Sequence, residues 1–292
     1  MTSLIRILSL LPLVLLHNLG GLLGWLAYAC SPTYRRHLNR NAALAGFPGR
    51  RQRLAAAAEA GKSILELPKI WLRPLDETAA RVVRVSGWEL VDAAWRRDRH
   101  GILFLTPHLG CFEIAAQYYA SQRPITVLYR PPKLAWLQPL VERRRSATLN
   151  LAAADLGGVR MLMKALKRGE AIGMLPDQVP GNGEGVWAPF FGRPAYTMSL
   201  AARLAEGGAT VLLAYAERLP YGAGYHLKLR PLAAPLQGTL DERVRQINQE
   251  LEDLILDCPE QYLWGYNRYK VPAGAPPPDG RTGLKGMVRH HD

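Results

Sequence analysis

The 292-residue chain is 48% hydrophobic with 27 Gly and 22 Pro, which excludes a wholly disordered protein and a collagen-like repeat. Its 37 Lys and Arg against 24 Asp and Glu leave a formal charge of +13, which calls for an anionic partner: nucleic acid, anionic lipid or an acidic protein. Three widely spaced cysteines, Cys30, Cys111 and Cys258, build neither a disulfide framework nor a CxxC-type zinc site and fit a reducing compartment.

From Ile7 to Tyr34 there is no Asp, Glu, Lys or Arg, close to the roughly 20 apolar residues that cross a hydrocarbon core. Pro12, His17 and Asn18 interrupt the stretch, so a kinked or partly embedded helix fits as well as a clean span. Ala27-Tyr28-Ala29 resembles a signal-peptide cleavage site, and a buried core helix is a further reading. The basic cluster Arg35, Arg36, His37 and Arg40 just downstream favours a retained anchor over residues 1–34, with the rest of the chain on the cytoplasmic side.

Arg51 to Leu72 is Ala- and Leu-rich and reads as helix, with Pro68 a kink or stop. Arg81 to Val91 is rich in β-branched residues and reads as a strand or hairpin. Gly101–Thr106 (GILFLT) is a buried strand by its short apolar run, followed by a helix from Cys111 to Ala120. The pattern repeats with the strand Ile125–Arg130 and the helix Leu134–Arg145, then the amphipathic helix Val159–Arg168 and the strand Ala171–Pro176. A helix over Ser199–Glu206 and the strands Ala209–Leu219 and Tyr225–Leu232 follow, the last two suited to pairing. Thr239 and Glu242 form a capping-box pattern that opens a helix running through Asp257. The Pro- and Gly-rich stretch over 271–292 reads as a flexible tail. Such β–α alternation predicts an α/β fold with a mainly parallel open sheet flanked by helices, a single domain over 35–270.

Of the seven histidines, one has a carboxylate five positions later: His108-Leu-Gly-Cys-Phe-Glu113. The spacing alone is a weak signal, but its place is informative. His108 falls just past the apolar strand, Glu113 in the first turn of the next helix, and ligands of open α/β sheets bind outside the carboxyl ends of strands. A histidine there can face a hydroxyl while the acid holds its other ring nitrogen, and Gly110 lets the backbone approach a substrate. The bland alternative is a loop histidine beside a glutamate favoured by the helix dipole. A second dense region runs from Pro176-Asp177-Gln178 through the loop Gly181–Gly185 to Phe190, Phe191, Gly192 and Arg193. Exposed backbone of this kind cradles phosphates, or it is only a turn; the spacing is not that of a P-loop. The third region, Arg130 and Arg143–Arg145, reads on its own as a solvated basic face, although guanidinium also suits phosphate and oxyanion recognition.

Taken in order, these segments resemble the late acyltransferases of lipid A biosynthesis, the lauroyl/myristoyl acyltransferase family within the lysophospholipid-acyltransferase-like superfamily. The resemblance rests on Ser31-Pro-Thr-Tyr-Arg-Arg with Asn41, the H-x4-E block His108–Glu113, and Tyr129-Arg130-Pro running into Trp136-Leu-Gln138 and Arg143–Ser146. It continues through Leu166–Glu170, Pro176-Asp177-Gln178, Pro189-Phe-Phe-Gly192 with Ala195 and Thr197, and Pro259–Trp264 with Arg268 and Lys270. No single block decides it; their collinear order does. Glu113 stands where most glycerolipid relatives carry Asp, as in the lipid A branch. The Gly-rich loop Gly181–Gly185 departs from the pattern.

The resemblance implies transfer of a fatty acyl chain from acyl-carrier protein to a hydroxyl of a Kdo-bearing lipid A precursor, at the cytoplasmic face of the inner membrane. It implies His108 as general base, Glu113 as the residue that orients the imidazole, and Arg145 as oxyanion donor. Arg130, Arg143 and Arg193 would hold acceptor phosphates or the carrier's phosphopantetheine, and Asp177 and Gln178 would position the acceptor or brace the site. Neither a metal nor a cofactor is required, since thioester activation and alcohol attack need no Lewis acid beside an oxyanion hole. The basic surplus then serves anionic membrane lipids and the acidic carrier protein, and nucleic acid is disfavoured because the basic residues are dispersed. An acyl slot lined by Phe104, Trp136 or Met163 is consistent with this, as is ordinary core packing. A lysophospholipid or other glycolipid acceptor stays open, as does, more distantly, a non-catalytic membrane-tethered lipid binder.

Overall fold

The computed structural model describes residues 2–97, 100–131, 138–181 and 183–278. Six helices precede the sheet: α1 (Thr2–Leu10), α2 (Leu13–Cys30), α3 (Pro32–Leu44), α4 (Arg50–Leu65), α5 (Leu67–Leu72) and α6 (Leu75–Ala79). Each break has a local cause. Pro12 separates α1 from α2, and the Ser31 hydroxyl caps α3 by accepting the Tyr34 N–H at 3.3 Å. Pro68 sits in the first turn of α5, where its missing N–H costs nothing.

The remaining elements are β1 (Val82–Ser86), α7 (Trp88–Arg97), β2 (Ile102–Leu105), α8 (Phe112–Ala120), β3 (Ile125–Tyr129), α9 (Gln138–Arg145), β4 (Asn150–Ala153) and α10 (Leu156–Lys167). Then come β5 (Ala171–Met174), β6 (Gly185–Phe190), β7 (Arg193–Met198), α11 (Leu200–Ala205), β8 (Thr210–Arg218), β9 (Tyr225–Pro231) and α12 (Leu240–Leu256). One seven-stranded sheet has the order β1-β9-β8-β2-β5-β3-β4. Every neighbouring pair is parallel except β8–β9, so the expected fold class holds and β1 and β9 run against the rest. Leu103 and Leu105 of β2 enter one core with Leu162, Leu213 and Ile247, while Ile102 and Phe104 enter the other with Ile114, Tyr119 and Leu212. Helices cover both faces, which is why the central strands read as unbroken apolar runs.

Three stretches take a form that the sequence reading left open or did not assign. Arg81–Val91 is not a hairpin: β1 ends at Ser86, and Gly87, at φ +82°, turns the chain directly into α7. The aromatic segment after the Gly-rich loop is a hairpin, β6–β7, turned at Phe191 and Gly192 with φ of 46° and 71°. The Ala-containing stretch Asn150–Ala153 is the edge strand β4. Of the helix expected from Leu134, residues 134–137, including Trp136, lie outside the described residues, as does the tail beyond residue 278.

Helix α2 has 18 residues at mean hydropathy 1.5, long and apolar enough to cross a membrane, with a third of it buried against the protein. Its small residues explain the buried part. A Cβ on Gly24 would fall 2.0 Å from the Ala57 carbonyl oxygen, and one on Gly61 only 1.9 Å from that of Gly20, so α2 and α4 touch backbone to backbone. The opposite face exposes Leu15, Leu19, Leu22, Leu23 and Leu26, and Leu4, Ile7 and Leu10 of α1 are exposed as well. An apolar area of that extent marks a lipid- or protein-binding surface.

Candidate active site

Strands β2 and β5 are parallel neighbours with Leu105 opposite Met174. His108 and Asp177 each lie three residues past that pair, so the two chains leave the sheet together and bring the side chains side by side. The Asp177 carboxylate accepts from His108 twice: its Oδ1 lies 2.8 Å from the ring Nδ1, and its Oδ2 accepts the His108 backbone N–H at 2.9 Å. Asp177 is only 2% exposed. Burial pushes its pKa up, but the His108 charge, both hydrogen bonds and Arg268 outweigh that and hold the carboxyl below its ordinary value. With Nδ1–H given to Asp177, the other ring nitrogen keeps its lone pair, and Gln178 Nε2 donates to it at 3.0 Å.

The loop carrying His108 is braced from behind. Gly110 N–H donates to the Gln261 carbonyl, Cys111 N–H to that of Ala216, and the His108 carbonyl accepts Leu263 N–H. Gly110 has φ +60°, and a Cβ there would meet the Ala216 carbonyl oxygen at 2.1 Å. Its freedom therefore serves contact with β8, not the approach to a substrate that the sequence predicts. The Tyr262 phenol, pushed well up by burial and then by the Asp177 charge, packs behind the carboxylate.

Glu113 has other partners than the expected imidazole. Its Oε2 accepts from Trp71 Nε1 at 3.2 Å and lies 3.3 Å from the Arg145 guanidinium, both side chains being largely buried. The expectation that Glu113 holds the ring of His108 is thus corrected: Asp177 occupies Nδ1, and Glu113 fixes Arg145. The guanidinium carbon of Arg145 lies 5.1 Å from the Tyr129 ring centroid, and the Arg145 Nε is buried without a hydrogen-bond partner among the described residues. A buried donor left unpaired is costly unless a ligand completes it.

His108, Glu113, Arg130, Arg145 and Gln178 line one cleft of about 760 Å³. An apolar slot of about 610 Å³ adjoins it, sharing Phe112, Glu113, Leu128, Arg145 and Leu175. Polar cleft and apolar slot therefore meet at the Glu113–Arg145 pair.

The model of the bacterial lipid A biosynthesis acyltransferase family matches residues 2–271. The chain belongs to that family. It is 32% identical over 279 residues to the lipid A biosynthesis lauroyltransferase of Escherichia coli, covering 91% of this chain and 89% of that protein. It is also 27% identical to the palmitoleoyltransferase over 72% of this chain and 69% of the relative, and 24% identical to the myristoyltransferase over 61% and 56%, both from the same organism.

In this acyltransferase, sequence and structure assign the signature residues unequally. Arg193 does not line the cleft; it lies over the Tyr269 ring at 4.8 Å. The Arg143 side chain lies outside the described residues. The Gly-rich loop is no open phosphate cradle: Gly181 N–H donates to Glu184, Gly183 and Gly185 N–H to the Tyr196 hydroxyl, and Glu184 lies 3.6 Å from Arg130. Phe104 does line the slot, whereas Met163 is exposed on α10. Asn41 and Arg268 are clamps. Asn41 donates to the Trp264 and Tyr266 carbonyls, and Arg268 to the Tyr196 carbonyl and the Thr197 hydroxyl. Trp71 was not foreseen; a lone tryptophan on a short helix carries no motif.

Proposed function

We propose that the enzyme transfers a fatty acyl chain from acyl-carrier protein to a hydroxyl of a Kdo-bearing lipid A precursor, at the inner membrane and on its cytoplasmic side, residues 1–34 serving as anchor. The observation that carries the chemistry is an imidazole whose Nδ1 is held by a buried carboxylate and whose Nε2 faces a cleft that opens onto an apolar slot.

The acceptor hydroxyl displaces the Gln178 amide from His108 Nε2 and gives its proton to that nitrogen as its oxygen attacks the thioester carbonyl. Asp177 fixes the tautomer and stabilises the imidazolium. The tetrahedral oxyanion takes donors from Arg145, held at the mouth of the slot by Glu113. Collapse expels the thiolate, which recovers the proton from the imidazolium. The acyl chain lies in the slot, closed by Phe104, Trp88 and Tyr119, whose rings stand 5.0 Å (Phe104–Tyr119) and 5.9 Å (Trp88–Tyr119) apart. Arg130 and Arg143 attract the anionic groups of acceptor and carrier, and Gln178 positions the acceptor. The relatives' names support a lipid A acceptor, and the exposed apolar faces of α1 and α2 support membrane attachment.

The test is acyl transfer from acyl-carrier protein to a defined lipid A precursor by purified full-length protein, read by mass spectrometry. His108→Ala should lower turnover by roughly 10²–10⁴ with the fold retained. A folded His108→Ala protein at near wild-type rate would end this mechanism, and product formation only on other acceptors would end the substrate assignment.

A further inference from the structure

Helix α10 buries Gly158, Leu162, Ala165 and Leu166 against the sheet and turns a different surface outward. That surface carries Leu156, 76% exposed, with Met161 and Met163 partly exposed, interleaved with Arg160, Lys164 and Lys167. These three cations make no salt bridge among the described residues, whereas the adjacent Arg168 is tied to Glu170 at 2.7 Å. An apolar helix face studded with unneutralised positive charge fits an acidic protein helix better than water.

Its place is equally informative. The first turn of α10 borders a groove of about 1,110 Å³ that also contains Arg203 and shares Leu128, Arg130 and Met198 with the His108 cleft. A flexible arm lying in this groove would pass Arg130 on its way to the reacting centre. The bilayer-facing region is elsewhere. Helix α10 packs on β3, β4 and β5, at one edge of the sheet, while α2 meets the β8–β9 turn, where Gly222 touches Val14. The exposed faces of α1 and α2 are also largely uncharged, unlike that of α10.

We infer that the outer face of α10 docks the acidic acyl-carrier protein and that the adjoining groove conducts its phosphopantetheine arm past Arg130 to His108. The inference rests on the proposed carrier-bound donor. The experiment uses the full-length enzyme in vesicles and the triple variant Arg160→Glu/Lys164→Glu/Lys167→Glu, assayed with one acyl chain on two donors, acyl-carrier protein and acyl-pantetheine. Expected is a loss in kcat/KM of about 10- to 100-fold with the carrier-bound donor at low salt, carried by KM, and an unchanged rate with acyl-pantetheine. The wild-type salt dependence should shrink in the variant. Equal rates of both proteins with the carrier donor would overturn the docking site. So would equal losses on both donors, or reduced binding to anionic phosphatidylglycerol vesicles with donor preference intact, which would make the face a membrane surface. Wild-type protein that ignores acyl-carrier protein yet uses acyl-pantetheine would instead overturn the donor assignment.

Discussion

Two histidines in this protein are held by buried carboxylates at nearly the same distance, and only one is placed for chemistry. His17 of α2 meets Glu66 at 3.0 Å, and His108 meets Asp177 at 2.8 Å. The difference lies in what else each pair touches. Glu66 also accepts from Arg218 through Nε and Nη2 at 2.9 and 2.8 Å and from the Tyr225 hydroxyl at 2.9 Å, while Arg218 reaches Glu59 at 2.7 Å. His17, Glu66, Arg218 and Tyr225 are all buried and tied to one another, so the cluster joins α2 to β8 and β9 with the Glu66 carboxylate fully engaged. The His108 pair is closed on the Asp177 side and open to the cleft on the Nε2 side, where the one hydrogen bond among the described residues is from the Gln178 amide. A buried carboxylate orients an imidazole in both places; exposure of the second ring nitrogen separates a base from a brace.

Asp177→Asn breaks the comparison on the catalytic side. The amide is nearly isosteric, so packing survives, but an amide that presents its N–H₂ to the ring favours the tautomer with the proton on Nε2, and it cannot stabilise imidazolium. Turnover should fall by roughly 10²–10⁴ with little change in thermal stability. His17→Asn, given the same two assays, should show the opposite pattern, losing stability more than turnover. If Asp177→Asn keeps full turnover, Glu113 or another group must do the orienting.

On the structural side, Glu66→Gln leaves Arg218 buried with its main counter-charge gone, at a cost of about 3–5 kcal/mol. The acid response carries the same information. Burial raises the Glu66 carboxyl, but Arg218 and His17 overcome it and hold the pKa at about 2 against an ordinary 4.5. The unfolded chain therefore binds more protons as pH falls through this window. The stabilisation is complete above 4.5 and is lost progressively toward about 2. Detergent-solubilised wild-type protein should lose melting temperature over that range more steeply than Glu66→Gln, which has no carboxyl to protonate. Equal slopes would mean that the cluster does not carry this charge.

The same two pairs show what could be read from the residues alone. Repeated apolar strands and amphipathic helices disclosed the α/β sheet, and His108 was placed correctly at a strand end because strand ends are legible locally. Its partner was not. Asp177 is 69 residues away, and only the adjacency of β2 and β5, which chain order does not state, brings the two together. Glu113 was the nearer acid in sequence and drew the role. The β6–β7 hairpin was hidden for a different reason: its tight turn is Phe191-Gly192, and a phenylalanine at positive φ is no turn signal. The His17–Glu66–Arg218 cluster left no trace either, since its three members come from separate parts of the chain and match no motif.

The finest contrast concerns the slot, where space and not charge sets the outcome. Gly173 of β5 lines it between Phe104 and Val127. A Cβ at this position would meet Val127 Cγ1 at 3.4 Å and Ile125 Cδ1 at 3.5 Å, ordinary contacts, so Gly173→Ala should fold normally while taking room from the slot. Each buried methylene of an acyl chain is worth about 0.8 kcal/mol, or roughly fourfold in relative kcat/KM. Gly173→Ala should therefore shift preference toward shorter donors by about fourfold per methylene excluded, with the rate on the shortest chains unchanged. Competition between carrier-bound donors of different length, read by mass spectrometry of the product, measures the shift directly. A profile identical to wild type would mean that the chain lies elsewhere, since a methyl group added to the wall of an occupied slot cannot leave the fit of a long chain untouched.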